Sequence, residues 1–147
     1  MKAFSRSCLT IASLLCAGVC AAVIEHVQVE YPHNVRTIHG RVTGYGRINP
    51  GAQIQVYDNA QVWFDHSLSM EERRQKQTKV ADGETDERGR FSVGFLPEGF
   101  YEVEFRRAGW DVLSVFVHIK PNSAKDKLCV ELRIESSAGK DSAKQCH

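Results

Sequence analysis

The feature that most constrains the fold of this chain is an alternation of apolar and polar side chains with a period of two. It begins in 35–43, where Ile38 and Val42 share one face, and recurs in 52–58. The apolar positions of the later runs are Phe91, Val93 and Phe95; Tyr101, Val103 and Phe105; Leu113, Val115, Val117 and Ile119; and Leu128, Val130, Leu132 and Ile134. Such alternation is typical of strands with one buried face. With a weaker strand at 79–85, it predicts about seven short strands, the signature of an all-β sandwich.

The connections between these runs are short and rich in turn residues. They include Asn49-Pro50-Gly51, Asp86-Glu87-Arg88-Gly89 and Leu96-Pro97-Glu98-Gly99. Gly89 is expected to supply the positive φ that its hairpin needs. Every link is too short for a crossover helix, so we expect the sheets to be antiparallel.

One segment, 59–78, interrupts the strand pattern. It is long for a hairpin loop and contains no Gly or Pro. Within it, Ser69-Met70-Glu71-Glu72 has the order of a capping box, and good helix formers follow. We therefore predict a short helix over 70–77, capped by Ser69, on the rim of the sandwich. Trp63 and Phe64 just before it are expected to dock this insert.

The first 22 residues have the pattern of a secretory signal peptide. Lys2 and Arg6 precede an apolar run over 8–19, and small residues follow it. We predict a mature chain that begins at Ala22 or Val23 and is exported to the periplasm, the outer envelope or the medium. No second apolar stretch follows, so no membrane span is expected once the signal is removed.

The cysteines can be counted once the leader is set aside. Of the five, only Cys129 and Cys146 remain, an even number in a compartment that permits disulfides. Cys129 alternates with inward apolar residues and so faces outward, while the small residues at 136–139 let the chain reverse. We predict a disulfide between them, with two free thiols as the alternative. A lipid anchor is disfavoured, because the residues before Cys16 and Cys20 match a lipoprotein signal poorly.

Without its leader the chain is close to electrically neutral, with 17 Lys and Arg against 18 Asp and Glu. A neutral domain offers no electrostatic attraction to nucleic acid or an anionic membrane, so neither is expected as a partner. A length of 147 residues leaves room for one ordinary domain. We divide the chain into a signal peptide (1–22), an N-terminal extension (23–34), a sandwich domain (35–135) and a polar tail (136–147).

Residue types that could carry chemistry are scattered rather than arranged. The histidines lack zinc-binding spacing, although His39 and His118 fall at outward positions of two strands and could meet on one face. The carboxylates of 82–87 lack the glycine placement of an EF-hand, and 65–67 contains triad residue types without a nucleophile elbow. The basic run over 73–79 is interpreted as a solvated helix face. We expect no catalytic, metal or cofactor site.

The turn motifs resemble those of carboxypeptidase regulatory-like domains. Gly40-Arg41-Val42-Thr43 and Pro50-Gly51-Ala52-Gln53-Ile54-Gln55-Val56 resemble the opening of that family. Thr85 to Phe91 is similar to its Thr-Asp-x-x-Gly-x-Phe hairpin, and Leu96 to Tyr101 to its Leu-Pro-x-Gly-x-Tyr turn. The resemblance spans 35–119 and implies a seven-stranded, transthyretin-like sandwich, also grouped with carbohydrate-binding-like folds. In metallocarboxypeptidases such a domain accompanies the catalytic domain and is not itself catalytic.

These observations favour an exported, non-catalytic binding or scaffold module whose ligand the sequence does not name. Another envelope protein or a carbohydrate is the expected partner, and the candidate surface is the aromatic set Trp63, Phe64, Phe100 and Phe116, unless the insert buries it. One alternative is a carbohydrate-binding module that uses those aromatics. A second is a small transthyretin-like hydrolase. Enzymes of that kind end in Tyr-Arg-Gly-Ser, whereas this chain ends in Gln145-Cys146-His147.

Overall fold

The computed structural model describes residues 27–123, 127–132 and 142–145, which form two packed β-sheets and a short helical insert. The signal peptide lies outside the described residues. The strands are β1 (Val27–Val35), β2 (His39–Gly44), β3 (Arg47–Ile48), β4 (Gln53–Tyr57), β5 (Lys79–Glu84), β6 (Arg90–Ser92), β7 (Gly99–Arg106), β8 (Val112–Ile119), β9 (Leu128–Leu132) and β10 (Ser142–Gln145). A 3-10 helix (Ala60–Phe64) and α1 (Met70–Gln75) lie between β4 and β5.

The strands are arranged in one sheet of order β1-β8-β7-β4-β5 and a second of order β10-β9-β2-β3, in which β6 also pairs with β2. The predicted count of seven strands is therefore wrong, and so is the prediction of wholly antiparallel sheets. β1 runs parallel to β8, and β2 runs parallel to β9. Two consecutive parallel strands need a long crossover, usually a helix, to bring the chain back to its starting edge. The partners here are far apart along the chain, so the strands between them bring the chain back instead.

Two strands come from segments that the sequence pattern left outside the sandwich. β1 lies largely within the N-terminal extension, and β10 lies within the polar tail. β10 runs antiparallel to β9, with Lys144 opposite Cys129. The chain thus reverses beside Cys129, as the predicted disulfide requires. Cys146 lies outside the described residues, and its pairing with Cys129 stays a prediction.

The core lies between the sheets and is built from the alternating apolar positions. Ile54, Val103 and Val115 are fully buried, and Val130 is 1% exposed. Among the described positions, Phe95 departs furthest from the prediction, because it is assigned to the apolar face of a strand and is 90% exposed. The strand in question, β6, ends at Ser92, so the chain has left the sheet before it reaches Phe95.

Two glycines are required by close backbone packing. Gly89 has φ 69° in the turn between β5 and β6, which confirms the predicted positive φ. The side chain of Asp86 accepts the N–H groups of Arg88 and Arg90 there, and the bonds from Arg90 foremost hold the pKa of Asp86 below its usual range. A Cβ on Gly40 would lie 1.7 Å from the carbonyl oxygen of Leu128. β2 and β9 can therefore pair here only because Gly40 has no side chain.

Candidate functional site

The insert (59–78) packs on the outer face of the sheet that contains β7 and β8, opposite the core. Its base is closed by two hydrogen bonds: the N–H of Asp58 donates to the Thr78 carbonyl at 3.0 Å, and the N–H of Thr78 donates to Asp58 Oδ1 at 2.9 Å. Ser69 caps α1, since the Glu72 N–H donates to Ser69 Oγ at 3.3 Å and the Ser69 N–H to Glu72 Oε2 at 2.8 Å. The predicted capping box is confirmed.

The four aromatics predicted as a partner surface form one cluster between the insert and the sheet. Phe116 lies 5.4 Å from Phe64, 5.8 Å from Phe100 and 6.2 Å from Trp63, measured between ring centroids. Phe116 is 1% exposed and Trp63 8%, whereas Phe64 is 53% exposed. The insert thus buries two of the four rings. What remains open is Phe64 rather than the continuous aromatic strip that the carbohydrate alternative requires.

Beside this cluster, two carboxylates of β7 are completely buried. Glu102 and Glu104 alternate with core residues and point away from the core as predicted, yet both are 0% exposed because the insert covers them. Glu102 accepts hydrogen bonds from Trp63 Nε1 at 2.5 Å and Gln77 Nε2 at 2.8 Å. It also accepts one from Ser114 Oγ at 2.5 Å.

Arg74 of α1 bridges the two carboxylates. Its guanidinium lies 3.2 Å from Glu102 Oε2 and also pairs with Glu104, which in turn accepts from Arg106 Nε at 2.9 Å. The Arg74 Cζ lies 4.4 Å from the ring centroid of Tyr57, a cation–π contact. Burial, with Glu104 as the next contributor, raises the pKa of the Tyr57 hydroxyl. We call the contacts of Arg74, Glu102, Glu104 and Arg106 the Arg74 network. It joins α1 to β7 and so holds the insert on the sheet.

The network corrects the interpretation of 73–79 as a solvated helix face. Arg73 is on the solvent side and donates to the Asp65 carbonyl at 3.1 Å, but Arg74, the next residue, carries the ion pairs to β7. A signal was present in the sequence: two glutamates in the middle of a strand need cations, and the insert supplies one of them, Arg74, while Arg106 of β7 supplies the other. Strand alternation could not show that the insert folds back over that face.

At one end of the sandwich, an open cleft of about 470 Å³ lies beside the tight turn between β2 and β3, and we call it the hairpin cleft. It is lined by Gly44, Tyr45, Arg47, Ile48, Asn49, Pro50, Arg107 and Trp110. Tyr45 and Ile48 are both 52% exposed. The Tyr45 and Trp110 ring centroids are 5.9 Å apart with the planes inclined at 49°, so the two rings form adjoining walls.

Backbone packing positions both aromatic walls. A Cβ on Gly44 would lie 2.3 Å from two carbons of the Trp110 six-membered ring, so the indole rests directly on the backbone of β2. Tyr45 has φ 50° and Gly46 φ 72°, which makes the turn tight and projects Tyr45 beside the indole. The backbone N–H of Trp110 donates to the backbone carbonyl of Arg107 at 3.0 Å, which brings Arg107 and Trp110 into one turn.

Asn49 provides the polar wall of the hairpin cleft. Its backbone is used in the fold, since the N–H donates to Val42 at 3.2 Å and the carbonyl accepts from Thr85 Oγ1 at 2.8 Å. Its side chain is different: the residue is 1% exposed, yet neither Oδ1 nor Nδ2 has a hydrogen-bond partner within the part of the chain that the structure describes. Buried amides are almost always hydrogen-bonded, so this one calls for an explanation.

None of the side chains that line the hairpin cleft is among the functional residues predicted from the sequence. Asn49 belongs to the predicted Asn49-Pro50-Gly51 turn, and Trp110 falls outside the predicted strands. The residues come from three separate segments, so no sequence spacing relates them. The only available signal was an aromatic residue in each of two turns, at Tyr45 and Trp110.

A second concavity of about 550 Å³ lies at the surface of the sheet formed by β2, β6 and β9. It is lined by His39, Gly40, Arg41, Arg90, Phe91, Ser92, Lys127 and Cys129. Arg41 lies opposite both Arg90 and Cys129 in the strand register. Arg90 is neutralised by Asp86 at 2.8 Å, so the surplus positive charge rests on Arg41 and Lys127.

The remaining sequence candidates do not converge. His39 is on β2 and His118 on β8, in different sheets, so the idea that they could meet on one face is wrong. Asp65 Oδ1 accepts directly from Ser67 Oγ at 2.6 Å, a local turn contact with no place for a histidine between them. Asp82 pairs with Lys79 at 2.8 Å. Among the described residues, no three potential ligands are grouped to hold a metal ion.

Comparison with known proteins supports the fold. Transthyretin from Sparus aurata aligns with a TM-score of 0.51 and 16% identity, covering 76% of this chain and 97% of that one. The Bacillus anthracis TIE protein aligns at TM-score 0.45 and 19% identity, covering 67% of this chain and 17% of its own. A catechol 1,2-dioxygenase from Acinetobacter radioresistens aligns at TM-score 0.38 and 16% identity, covering 82% and 62%. No protein-family model and no curated protein matches.

The fold is thus a transthyretin-like β-sandwich. At these identities the similarity concerns architecture alone. Within 27–123, 127–132 and 142–145, no helix has the length and apolar character needed to cross a bilayer.

Proposed function

We propose that this chain is an exported, non-catalytic binding module of the carboxypeptidase regulatory-like kind, and that its ligand occupies the hairpin cleft. One observation carries the proposal: the amide of Asn49 is buried and unpartnered in the wall of an open cleft. Leaving a buried polar group without a hydrogen bond costs about 1–3 kcal/mol. A ligand that hydrogen-bonds to both the carbonyl and the amino group of the Asn49 side chain would remove that cost. The unpartnered amide therefore fits a ligand-binding role better than a purely structural role in a turn.

The Arg74 network supports the non-catalytic part of the proposal. Ionisable groups that act in catalysis must reach a substrate, whereas Glu102 and Glu104 are fully buried and already accept hydrogen bonds from their neighbours. Their contacts account for how the insert is attached. The hairpin cleft lies elsewhere on the sandwich, and its Asn49 amide has no hydrogen-bond partner among the described residues.

A second candidate is a protein-binding module that uses Phe64. This ring is 53% exposed and packs against two other aromatic rings, with centroid distances of 6.0 Å to Phe100 and 5.4 Å to Phe116. A single exposed ring on a rigid support can anchor a protein partner. It lacks the unpartnered polar group that the hairpin cleft has, so the cleft remains the first choice.

Isotope-labelled mature protein and nuclear magnetic resonance test the two sites together. We would record amide spectra during titration with a panel of neutral and acidic saccharides, amino acids and short peptides. The proposal expects shifts at Tyr45, Asn49 and Trp110, and their loss in the Trp110→Phe variant. Shifts centred on Phe64 would favour the second candidate. If no compound of the panel shifts the amide signals of either region, the cleft does not bind a ligand of these classes.

Export is tested separately. N-terminal sequencing of protein recovered from the envelope or medium should find Ala22 or Val23 as the first residue, because the small residues at the end of the apolar run suit signal peptidase. Recovery of intact chain from the cytosol, beginning at Met1, would contradict export.

A further inference from the structure

We propose that the hairpin cleft recognises an acidic saccharide, a pyranose ring that carries a carboxylate. This inference rests on the proposed function, since it names the class of ligand for the same cleft. It adds two properties of the cleft that the binding proposal does not use, the inclination of its aromatic walls and the charge of its rim, to the pairing capacity of Asn49.

The aromatic walls suit a sugar ring. Tyr45 and Trp110 meet at 49° with 5.9 Å between their centroids, so they form an angled surface rather than a slot for a flat ring. A pyranose presents axial C–H groups on one face, and these pack on an aromatic surface. Because Trp110 is seated against the backbone at Gly44, that surface is formed before any ligand arrives, which keeps the ordering cost of binding low.

The Asn49 amide is complementary to vicinal hydroxyl groups. Its side chain offers one carbonyl acceptor and two N–H donors, and none of them is used within the described chain. Both atoms have almost no solvent-accessible surface, so the Asn49 side chain must turn toward the cleft before two neighbouring hydroxyls of a sugar donate to Oδ1 and accept from Nδ2. A site that buries such a group discriminates strongly against ligands lacking the matching hydroxyls, because the amide would then stay unpaired.

The rim of the cleft is cationic. Arg47 and Arg107 both line it, and none of the lining residues that the structure describes is acidic. Among the described residues neither guanidinium has an ion-pair partner. Asp111, the next acidic residue along the chain from Trp110, is 7% exposed and does not line the cleft. Arginine binds carboxylates through paired N–H donors, so two unpaired arginines at the edge of a sugar-shaped cleft point to a carboxylate on the sugar.

Tryptophan fluorescence provides a direct assay. The chain has two tryptophans: Trp63 belongs to the insert and is 8% exposed, and Trp110 lies in the cleft. Mature full-length protein would be titrated with glucuronate, galacturonate, glucose and acetate, at constant ionic strength. A uronate should change the emission of the wild type. Trp110→Phe, which retains Trp63 as an internal reference, should abolish the change.

Charge variants then test the rim. Arg107→Gln removes one guanidinium and should weaken uronate binding about tenfold, the effect of a charge-assisted hydrogen bond, while leaving glucose unchanged. Lys120→Gln is the matched control, because it removes the same charge at the end of β8 away from Trp110 and should alter affinity less than about twofold. Thermal unfolding verifies each fold; if Arg107→Gln does not fold, Arg47→Gln takes its place.

The outcomes separate this inference from the proposed function. Equal affinity for glucuronate and glucose, with loss in Trp110→Phe, would overturn the acidic class and leave the cleft as the ligand site. Equal effects of acetate and uronate would overturn recognition of the ring. Uronate binding that survives both variants, or no uronate binding at all, would also overturn the inference. Comparing free galacturonate with its oligomers shows whether the source is a monosaccharide or a polysaccharide chain.

Discussion

Removing Arg74 should destabilise the protein by several times the cost of an ordinary surface substitution. Glu102 and Glu104 are fully buried, and Arg74 is the side chain that contacts both. Replacement by Met keeps an unbranched apolar stem, but it removes the guanidinium that contacts Tyr57 and leaves two carboxylates without this bridging cation. Breaking a buried ion pair from one side costs about 3–5 kcal/mol. Because 33% of the Arg74 side chain is exposed, we expect the lower end, about 3 kcal/mol.

Urea denaturation of mature protein measures this loss, and Arg73→Met is the control. Arg73 precedes Arg74 in α1 but donates only to the Asp65 carbonyl in its own loop, so its replacement should cost less than about 0.5 kcal/mol. In thermal melts, the Arg74→Met variant should unfold roughly 10 °C lower.

A double variant isolates the ion pair from the rest of the side chain. Glu102→Gln in the Arg74→Met background removes the carboxylate that has lost its cation, since Glu104 keeps Arg106, so the double variant should be more stable than Arg74→Met alone. The second substitution would then stabilise the variant that lacks Arg74 but destabilise the wild type, and a double-mutant cycle measures that difference. Equal losses in the Arg73 and Arg74 variants, or a further loss in the double variant, would refute the reasoning.

Three further predictions concern local structure. Ser69→Ala should cost at most about 1 kcal/mol in urea denaturation, because it removes one helix cap on a peripheral insert; a loss as large as that of a buried pair would mean that the cap is not local. Intact-mass measurement after alkylation, with and without reductant, should show Cys129 and Cys146 protected until reduction, and the bond should contribute about 3 kcal/mol; two alkylated thiols in unreduced exported protein would rule it out. Gly40→Ala should lower the free energy of unfolding by about 3 kcal/mol or more, because its Cβ would lie 1.7 Å from the β9 backbone. Gly83→Ala is the control and should be nearly neutral, because the nearest contact of its Cβ is 3.6 Å away. Similar losses in the two variants would refute the close approach of β2 and β9.

Much of the sandwich could be predicted from local pattern, because the core depends on which residues alternate. The runs around Ile54, Val103 and Val115 became buried strands, and Gly89 and Ser69 took the turn and cap positions that their neighbours require. Each of these features is determined by interactions within a few residues, or by a period of two that any sheet must satisfy. A resemblance carried by the same turns led to the transthyretin-like architecture.

Only the tertiary structure decided which strands are neighbours and what covers the outer face. The parallel pairs β1–β8 and β2–β9 join segments far apart in sequence, which no local signal specifies. The outward pattern of Glu102 and Phe116 was correct, but their burial depends on an insert that folds back over them. The hairpin cleft has the same origin: Tyr45, Asn49 and Trp110 acquire a common role because distant turns meet at one end of the sandwich, and proximity in space is not encoded in any single stretch of chain.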